Sequence, residues 1–354
     1  MYHARVADAL TYNKQQGFSR AETAFIQRVV GSNPDGQWGP STVTAIQSWQ
    51  AARKIPADGK VWRSTSGDTW PQLLSTGAAG WATATPKITR VGLWTFSDAL
   101  MPTSSACSHA LELAVEAGLT DVVFTLDNDT DTTFELPTTI ANIVESGKAY
   151  KDKGIDVSLN AFIYPSSDYV TALTDAVLQI DHQLGLRRLD IDAEELWIKH
   201  ADQAAKDSAA ELFGQQLRGA PLFVAINGIV YTKQAALDPL VKQSCVTHVT
   251  PQAYSVANKT SSDGKPNATY NPIDLQTTAH TKWAGWWPDR KIIGGFATYN
   301  QAGRYELGTL SEDVAIGLAL QTWADLGVTE VCGWSIKQVS SVTAALLRQR
   351  CPVS

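Results

Sequence analysis

The segment RLDIDAEELW, residues 188–197, decides the fold and contains the first candidates for a functional site. In a β-strand, alternate side chains point to the same face of the sheet. Asp190, Asp192 and Glu194 would then share one face, and the apolar residues between them would share the other. Three carboxylates on one face repel each other and add nothing to a hydrophobic core, so stability alone does not favour this pattern. The segment therefore predicts a buried strand that leads into a functional site.

Seven further apolar segments alternate with stretches of helical periodicity along the chain. Together with the first segment they give eight predicted strands, at residues 90–96, 121–127, 156–165, 188–195, 222–228, 248–255, 291–299 and 330–336. Eight strand–helix units within residues 88–354 have the size and rhythm of an α/β fold, the (β/α)8 TIM barrel. A doubly wound sheet is the alternative, but no glycine-rich phosphate loop favours it.

In a TIM barrel the C-terminal ends of the strands form the active site. Polar and aromatic residues fall near these ends, and we expect them to bind substrate: Trp94, Asp127, Tyr164, Asn227, Gln252, Tyr254 and Trp334. The acids of the first segment would lie in the same barrel mouth. Asp190, Asp192 and Glu194 are therefore the candidate catalytic residues.

These three carboxylates would follow one another at spacings of about 7 Å along the strand. Carboxylates that close, in a partly dry cleft, cannot all ionise cheaply. The group nearest apolar or aromatic walls should have a raised pKa. A carboxyl group with a raised pKa is what the general acid of glycoside cleavage requires.

The Asp-x-Asp-x-Glu pattern of Asp190, Asp192 and Glu194 resembles the end of the fourth strand in family-eighteen glycoside hydrolases, the chitinase-like barrels. The resemblance implies that Glu194 protonates the glycosidic oxygen. It also implies that Asp192 orients the N-acetyl group of the sugar, whose carbonyl oxygen attacks the anomeric carbon in place of an enzyme nucleophile.

Two aromatic residues extend this resemblance, and one position departs from it. Tyr254 matches the sixth-strand tyrosine that holds the acetamido group, and Trp334 matches the eighth-strand tryptophan beneath the sugar. The family has a further aspartate three positions before its Asp-x-Asp, where this chain has Arg187. The departure weakens a chitinase assignment more than it weakens the role of the acid.

The same strand also resembles that of the family-twenty-five (Chalaropsis-type) lysozymes, whose Asp-x-Glu is matched by Asp192 and Glu194. The first-strand aspartate of that family is absent, because Leu93 and Trp94 occupy this part of the chain. The two resemblances together imply a reaction class, glycoside hydrolysis, rather than one family.

The N-terminal part contains an internal echo. PDGQWGPSTVTAIQSWQ (34–50) and ADGKVWRSTSGDTW (57–70) each have an Asp-Gly turn followed by Trp and Thr. Residues of about 20–73 resemble the three-helix peptidoglycan-binding domain of cell-wall hydrolases. The resemblance implies wall binding, for which Trp38 and Trp49 are the candidates. A small helical cap without a ligand is the alternative.

Composition and net charge limit which partners and which domain organisation the chain can have. We expect a peptidoglycan-binding domain at residues 1–74, a linker of small residues at 75–87 and the barrel at 88–354. The net charge of −6 argues against nucleic acid, and no apolar stretch is long enough to span a membrane. The first residues lack the apolar region of a signal peptide, which predicts synthesis in the cytoplasm. Action at the cell wall is what the resemblance to the peptidoglycan-binding domain implies. We expect a monomer without a cofactor, whose partner is bacterial peptidoglycan.

Several conspicuous side chains favour structural roles. Glu195 should face solvent or the helix layer, and the tryptophans of KWAGWW, residues 282–287, favour packing over sugar stacking. The acids of LDNDTD, residues 126–131, resemble a calcium loop, but the glycine and distal glutamate of such a loop are missing. An ordinary polar loop fits that segment better.

The favoured function is a peptidoglycan glycosidase, a lysozyme-like muramidase, of the kind found in phage endolysins. An N-acetylglucosaminidase or a chitinase-like glycosidase is the alternative within the same class. A metal-dependent barrel hydrolase could instead use the three acids as ligands, although no two of the six histidines have ligand spacing. A non-catalytic wall-binding protein is the remaining alternative.

Overall fold

The computed structural model describes residues 2–62, 69–80, 88–95, 100–126, 132–230, 232–254, 272–298 and 312–350. These residues fall into two compact units. The described part of the first unit comprises residues 2–62, 69–80, 272–278 and 312–326, and the second unit comprises the rest. The first unit therefore includes two segments that the sequence assigns to the barrel.

The described residues form helices and parallel strands. The helices are α1 (Tyr2–Gln15), α2 (Arg20–Val30), α3 (Pro40–Ala52), α4 (Thr69–Gly80), α5 (Ser105–Glu116), α6 (Ile140–Lys151), α7 (Ser167–Leu184), α8 (Glu195–Ile198), α9 (Gln203–Gln216), α10 (Gln234–Val241), α11 (Pro272–Trp286), α12 (Glu312–Asp325) and α13 (Ser341–Arg350). The strands are β1 (Arg90–Thr95), β2 (Asp121–Thr125), β3 (Asp156–Phe162), β4 (Arg188–Asp192), β5 (Phe223–Ile229), β6 (Val246–Gln252), β7 (Lys291–Ile292), β8 (Gly294–Ala297) and β9 (Glu330–Trp334).

The strands form one parallel sheet that curls into a barrel. Its order is β7-β6-β5-β4-β3-β2-β1-β9-β8. Strands β7 and β8 are two pieces of the strand predicted at 291–299, since β7 pairs with β6 and β8 pairs with β9. The amide of Ile293, between the two pieces, donates to the Val249 carbonyl at 3.0 Å. The predicted TIM barrel is confirmed, with its seventh strand interrupted at Ile293.

The fourth strand is shorter than the sequence predicts. The prediction placed residues 188–195 in the strand, but β4 ends at Asp192. Pairing continues for one more bond, because the Ala193 amide donates to the Asn227 carbonyl at 3.2 Å. Glu194 then becomes the N-cap residue of α8. Glu194 is therefore placed by the start of a helix rather than by strand alternation.

In the first unit, α4 corrects the prediction of a linker over residues 75–87. Residues 75–80 continue the helix that begins at Thr69, and the remaining residues of that segment lie outside the described ranges. Trp70, Leu73 and Leu74 are buried in one hydrophobic cluster with Phe25 of α2. The small residues at 75–80, whose composition is typical of a linker, thus extend a helix that large apolar side chains anchor.

A buried glutamine of α2 fixes the first Asp-Gly turn. Gln27 Nε2 donates to Asp35 Oδ1 at 2.8 Å and to the Gln37 carbonyl at 2.9 Å. It lies 3.0 Å from Thr42 Oγ1, while Gln27 Oε1 accepts from the Gly36 amide at 2.8 Å. Gly36 has a φ of 71°, which favours glycine. One amide side chain therefore joins the turn to the next helix.

The second Asp-Gly turn repeats this arrangement one helix later. Gln50 Nε2 donates to Asp58 Oδ1 at 3.2 Å and to the Lys60 carbonyl at 3.1 Å. It also donates to Thr69 Oγ1 at 3.2 Å, and Gln50 Oε1 accepts from the Gly59 amide at 2.8 Å. The echo seen in the sequence is therefore a structural duplication whose centre, in each copy, is a glutamine.

Replacing Gln50 with alanine should loosen the second turn. The change leaves the buried Gly59 amide without its acceptor, which costs about 2 kcal/mol, or roughly 30-fold faster amide exchange in this turn. Hydrogen exchange read by mass spectrometry on peptides covering residues 55–62 checks this. Ser48→Ala, on the exposed face of the same helix, is the control and should change exchange little. Equal exchange in Gln50→Ala and the wild type would contradict the role of Gln50.

Candidate active site

The acidic face of β4 points into the barrel, as predicted, and it carries a compensating positive charge. Arg188 precedes Asp190 by two residues, and both side chains are almost completely buried. Arg188 Nε lies 2.7 Å from Asp190 Oδ1, and Arg188 Nη2 donates to Asp190 Oδ2 at 3.1 Å. The cluster that the sequence presents as mutually repelling acids therefore contains a buried ion pair.

Arg188 also joins strands across the barrel. Its Nη1 lies 3.3 Å from Asp121 Oδ2 on β2, and the same group pairs with Glu330 on β9. The neighbouring Arg187 contacts the same two acids, at 2.6 Å from Glu330 Oε2 and 3.4 Å from Asp121 Oδ2. Burial tends to raise the pKa of Glu330, but the two arginines outweigh it and hold that pKa below its usual value. This ionic network lies at the N-terminal ends of β2, β4 and β9.

Asp190 is the acid of β4 whose pKa burial clearly perturbs. Burial raises the pKa of Asp190 to about 6, and the charge of Arg188 limits the rise. The sequence predicts one raised carboxyl pKa among the three acids. In the structure, the ion-paired acid deepest in the strand carries such a rise.

Asp192 has a different partner. Its Oδ1 accepts a hydrogen bond from Gln252 Nε2 on β6 at 2.7 Å, and both side chains are buried. Burial raises the pKa of the Tyr254 hydroxyl well above its usual value, and the charges of Asp192, Glu194 and Asp190 add to that rise. Tyr254 thus lies close enough to all three acids to respond to their charge.

Glu194 is positioned by its backbone and by the short helix that follows it. Its carbonyl accepts from the Ile198 amide at 2.7 Å. The buried Trp197 holds α8 in place by donating from Nε1 to the Ala236 carbonyl at 2.8 Å. The half-buried Glu194 side chain makes no capping hydrogen bond to α8. Next to it, Glu195 is exposed and pairs with Lys199, consistent with its predicted structural role.

Three predicted aromatic residues meet above the acids. Trp94 lies edge-on to Tyr254 with ring centroids 6.1 Å apart, and Trp334 lies 6.2 Å from Trp94 and 6.5 Å from Tyr254. Trp94 is buried, whereas Tyr254 and Trp334 are partly exposed. We call Trp94, Tyr254 and Trp334 the aromatic wall. It combines apolar surface with ring faces suited to sugars.

The other predicted binding residues are spread more widely. Asn227 is buried and donates to Asn160 Oδ1 at 3.3 Å, while its own Oδ1 has no protein partner among the described residues. Tyr164 is half-buried and packs against Tyr169 and His200, at 6.3 and 5.6 Å between ring centroids. Asp127, with the rest of the LDNDTD acids, lies outside the described residues.

The predicted wall-binding tryptophans of the first unit belong to its packing. Trp49 is buried in the hydrophobic cluster, with the guanidinium of Arg53 4.1 Å from its ring centroid. Trp38 is half-buried against the same cluster, 5.8 Å from the ring of Phe18. Their part in wall binding remains a prediction.

The tryptophans of KWAGWW also pack, as the sequence favours. Trp283 and Trp287 are buried at 5.3 Å from each other, and Trp287 Nε1 donates to Asp238 Oδ1 at 2.9 Å. Trp286 stacks edge-on to Trp287 at 5.4 Å.

No group of three or more His, Cys, Asp or Glu side chains within the described ranges is arranged to hold a metal ion. Asp190, Asp192 and Glu194 have separate partners or positions instead. The alternative that these acids form a metal site gains no support from their geometry.

Sequence reasoning missed Arg188 and Asn160. Arg188 is two residues before Asp190, so strand alternation places both on one face, and the signal was therefore present in the first segment. Asn160 lies beside Asp190 in the register of β3 and β4. That proximity depends on strand pairing, which the sequence of β3 alone does not reveal.

The comparisons with known proteins concern the two parts of the chain separately. Residues 15–65 match the peptidoglycan binding domain family. The chain thus has the peptidoglycan-binding domain that the sequence predicts near its N-terminus. None of the curated protein sequences matches the chain.

Solved structures support the barrel fold. The spore cortex-lytic enzyme SleL of Bacillus cereus has a TM-score of 0.53 at 12% identity, with 75% of each chain covered. SleL of Bacillus megaterium has a TM-score of 0.50 at 11% identity, covering 76% of this chain and 75% of that one. The catalytic domain of a family GH18 chitinase from the fern Peteris ryukyuensis has a TM-score of 0.50 at 13% identity, covering 75% and 98%. At these identities the likeness is one of fold.

Within the described residues, no helix combines the length and the apolar character needed to cross a bilayer.

The buried network beneath the site predicts a pH dependence of stability. Burial lowers the pKa of His248 to about 4, and Arg188, Lys291 and Arg187 add to the effect against the opposing charge of Glu330. Between pH 6.5 and 4 the unfolded state binds a proton at His248 that the folded state does not, so the contribution of His248 to stability falls as pH falls through this window.

His248→Asn should remove this loss, which is on the order of 2 kcal/mol across the window. Urea unfolding of wild type and variant at several pH values between 4 and 7 measures the difference in slope. His109→Asn changes an exposed histidine of the same unit and should keep the wild-type slope. A wild-type slope in His248→Asn as well would show that His248 does not titrate in this window.

Proposed function

We propose that the protein is a glycosidase that hydrolyses the glycan strands of bacterial peptidoglycan, and that its N-terminal domain holds it on the wall. One observation carries the proposal. Asp192 ends barrel strand β4 and Glu194 lies two residues beyond it, beside the aromatic wall, in a chain whose residues 15–65 match the peptidoglycan binding domain family. Acids and aromatic surface at that end of a TIM barrel suit carbohydrate chemistry.

In the proposed reaction Glu194 is the general acid. It gives its proton to the glycosidic oxygen as the bond from that oxygen to the anomeric carbon breaks. The carbonyl oxygen of the substrate's own N-acetyl group attacks the anomeric carbon and forms a cyclic intermediate. Glu194, now ionised, then takes a proton from the water that opens this intermediate, which returns the acid to its starting state.

Asp192 and Tyr254 have the supporting role in this scheme. The Asp192 carboxylate would orient the N–H of the acetamido group and offset the positive charge that develops on it. The Tyr254 hydroxyl remains protonated at working pH, because burial raises its pKa, and it can donate a hydrogen bond to the acetamido oxygen. Gln252 supports the scheme by fixing one oxygen of Asp192. The aromatic wall would carry the apolar face of the sugar.

The bond cleaved distinguishes two versions of the proposal. A lysozyme-like muramidase cleaves after N-acetylmuramic acid, and an N-acetylglucosaminidase cleaves after N-acetylglucosamine. Both sugars carry the N-acetyl group that the reaction uses, so the residues above support the two versions equally. We take the muramidase as the first version to test.

Glu194→Gln should abolish product release from purified peptidoglycan, with a loss of about 100-fold or more, because glutamine cannot donate the proton. Mass spectrometry of the soluble products measures the loss and identifies the new reducing ends. Reducing N-acetylmuramic acid indicates a muramidase, and reducing N-acetylglucosamine indicates a glucosaminidase.

Glu195→Gln is the matched control, since it makes the same chemical change one residue away. Glu195 is exposed, and an exposed ion pair such as that with Lys199 contributes little. The control should therefore keep wild-type activity. Intact glycan strands after incubation with the wild type, or full activity in Glu194→Gln, would overturn the proposed function.

A further inference from the structure

We propose that Arg188 is a positioning residue of the candidate active site. It keeps Asp190 ionised at neutral pH and turned toward the ionic network, so that Asp192 stays directed at the acetamido group and proton transfer is left to Glu194. The inference rests on the proposed function for its kinetic part. Its structural part, the charge of Asp190, can be measured without any activity.

Arg188 and Asp190 form a close, buried ion pair. Both carboxylate oxygens of Asp190 face the guanidinium, at 2.7 Å from Nε and 3.1 Å from Nη2. The contact from Nη2 is a hydrogen bond and that from Nε is a close ionic contact, so the guanidinium favours both the charge and the orientation of the acid. Asp192 is held separately, by a hydrogen bond from Gln252 on β6. The two aspartates of the motif therefore have different partners, although they lie two residues apart.

The surroundings of Asp190 make Arg188 decisive for its charge. The titratable groups that face Asp190 from the described elements are Arg188 and Asp192 on β4, Asp121 on β2, Glu330 and Cys332 on β9, and Tyr254 after β6. The neighbours on β3 include Asn160 and Ser158, which do not titrate. Arg188 is thus the only cation in this described set. Asp121 and Glu330 carry charges that oppose ionisation of Asp190, whereas the Tyr254 hydroxyl and the Cys332 thiol stay neutral because burial raises the pKa of each.

This arrangement has a consequence for the pH range of activity. Without Arg188, a buried aspartate among other acids would take up a proton at higher pH. Protonated Asp190 could turn to hydrogen-bond Asp192 and withdraw it from the acetamido group. Arg188 prevents that rearrangement by occupying both oxygens of Asp190.

The kinetic test compares the pH dependence of product release from peptidoglycan in Arg188→Met, Arg188→Lys and wild type. In Arg188→Met the acidic limb of kcat/KM should shift to higher pH by about one unit or more. Arg188→Lys keeps the charge but loses the two-point contact, so its shift should be smaller. Arg187→Met is the matched control, because Arg187 shares Asp121 and Glu330 but has no described contact with Asp190. The control should leave the limb near its wild-type position.

The test that is independent of activity is infrared difference spectroscopy at pH 7.5. The spectrum of Arg188→Met minus that of Arg188→Met/Asp190→Asn should show the carbonyl band of a protonated carboxyl group. The spectrum of wild type minus Asp190→Asn should show the bands of an ionised carboxylate instead.

The outcomes separate the two proposals. An inactive wild type with the expected infrared bands would overturn the proposed function and keep the role of Arg188 in setting the charge. An ionised Asp190 in Arg188→Met, or an acidic limb that moves equally in Arg187→Met, would overturn the inference. Arg188→Met could fail to fold. Recovery of folding in Arg188→Met/Asp190→Asn would then support the role of Arg188 in keeping Asp190 charged. No recovery in that double variant, together with an unshifted acidic limb in Arg188→Lys, would overturn the inference.

Discussion

The interior of the barrel is organised around one buried positive charge. The guanidinium of Arg188 contacts acids from three strands, Asp190 on β4, Asp121 on β2 and Glu330 on β9. A buried guanidinium without such partners would be strongly destabilising, because its hydration is lost without replacement. Conversely, the buried acids are stabilised by the cation, so Arg188 offsets part of the cost of bringing these three strands together. The repulsion among the acids of residues 188–197 is therefore largely offset by the charge of Arg188.

The same charge divides the interior into two chemical layers. Toward the N-terminal ends of the strands lie Arg187, Arg188, Asp121 and Glu330, whose opposite charges are paired and largely buried. Toward the C-terminal ends lie Asp192, Glu194 and the aromatic wall, where polar groups meet apolar surface. Asp190 is the boundary between the layers, since it contacts the cation below and raises the pKa of Tyr254 above. A site that needs a few acids near apolar rings can exist here because the layer beneath it is already neutral.

The sequence predicted the barrel because each strand is a short apolar segment between helical stretches, and strand alternation correctly gave the interior face of β4. The sequence did not predict where strands stop. β4 ends at Asp192 and the chain then enters α8, where the Trp197 indole donates to the Ala236 carbonyl, a contact that the sequence of β4 does not reveal. The interruption at Ile293 depends on pairing with neighbours on both sides. Arg188 was overlooked because the acids were considered as a set of like charges, although the rule that grouped them applies equally to the arginine.

In the N-terminal domain, too, the sequence shows a repeated pattern but not the residues that produce it. The Asp-Gly echo indicated a duplication, but the residues that enforce it, Gln27 and Gln50, lie on the preceding helices and are apparent only from their hydrogen bonds. Trp38 and Trp49 pack in or against the core of this unit, and their part in wall binding remains a prediction. On the proposed function, this domain has a physical task that the barrel cannot perform. A chain with a net charge of −6 gains no general attraction to an anionic wall, so retention near the substrate must come from specific binding. Joining such binding to the barrel in one chain raises the local concentration of glycan at the acids without any further contact in the active site.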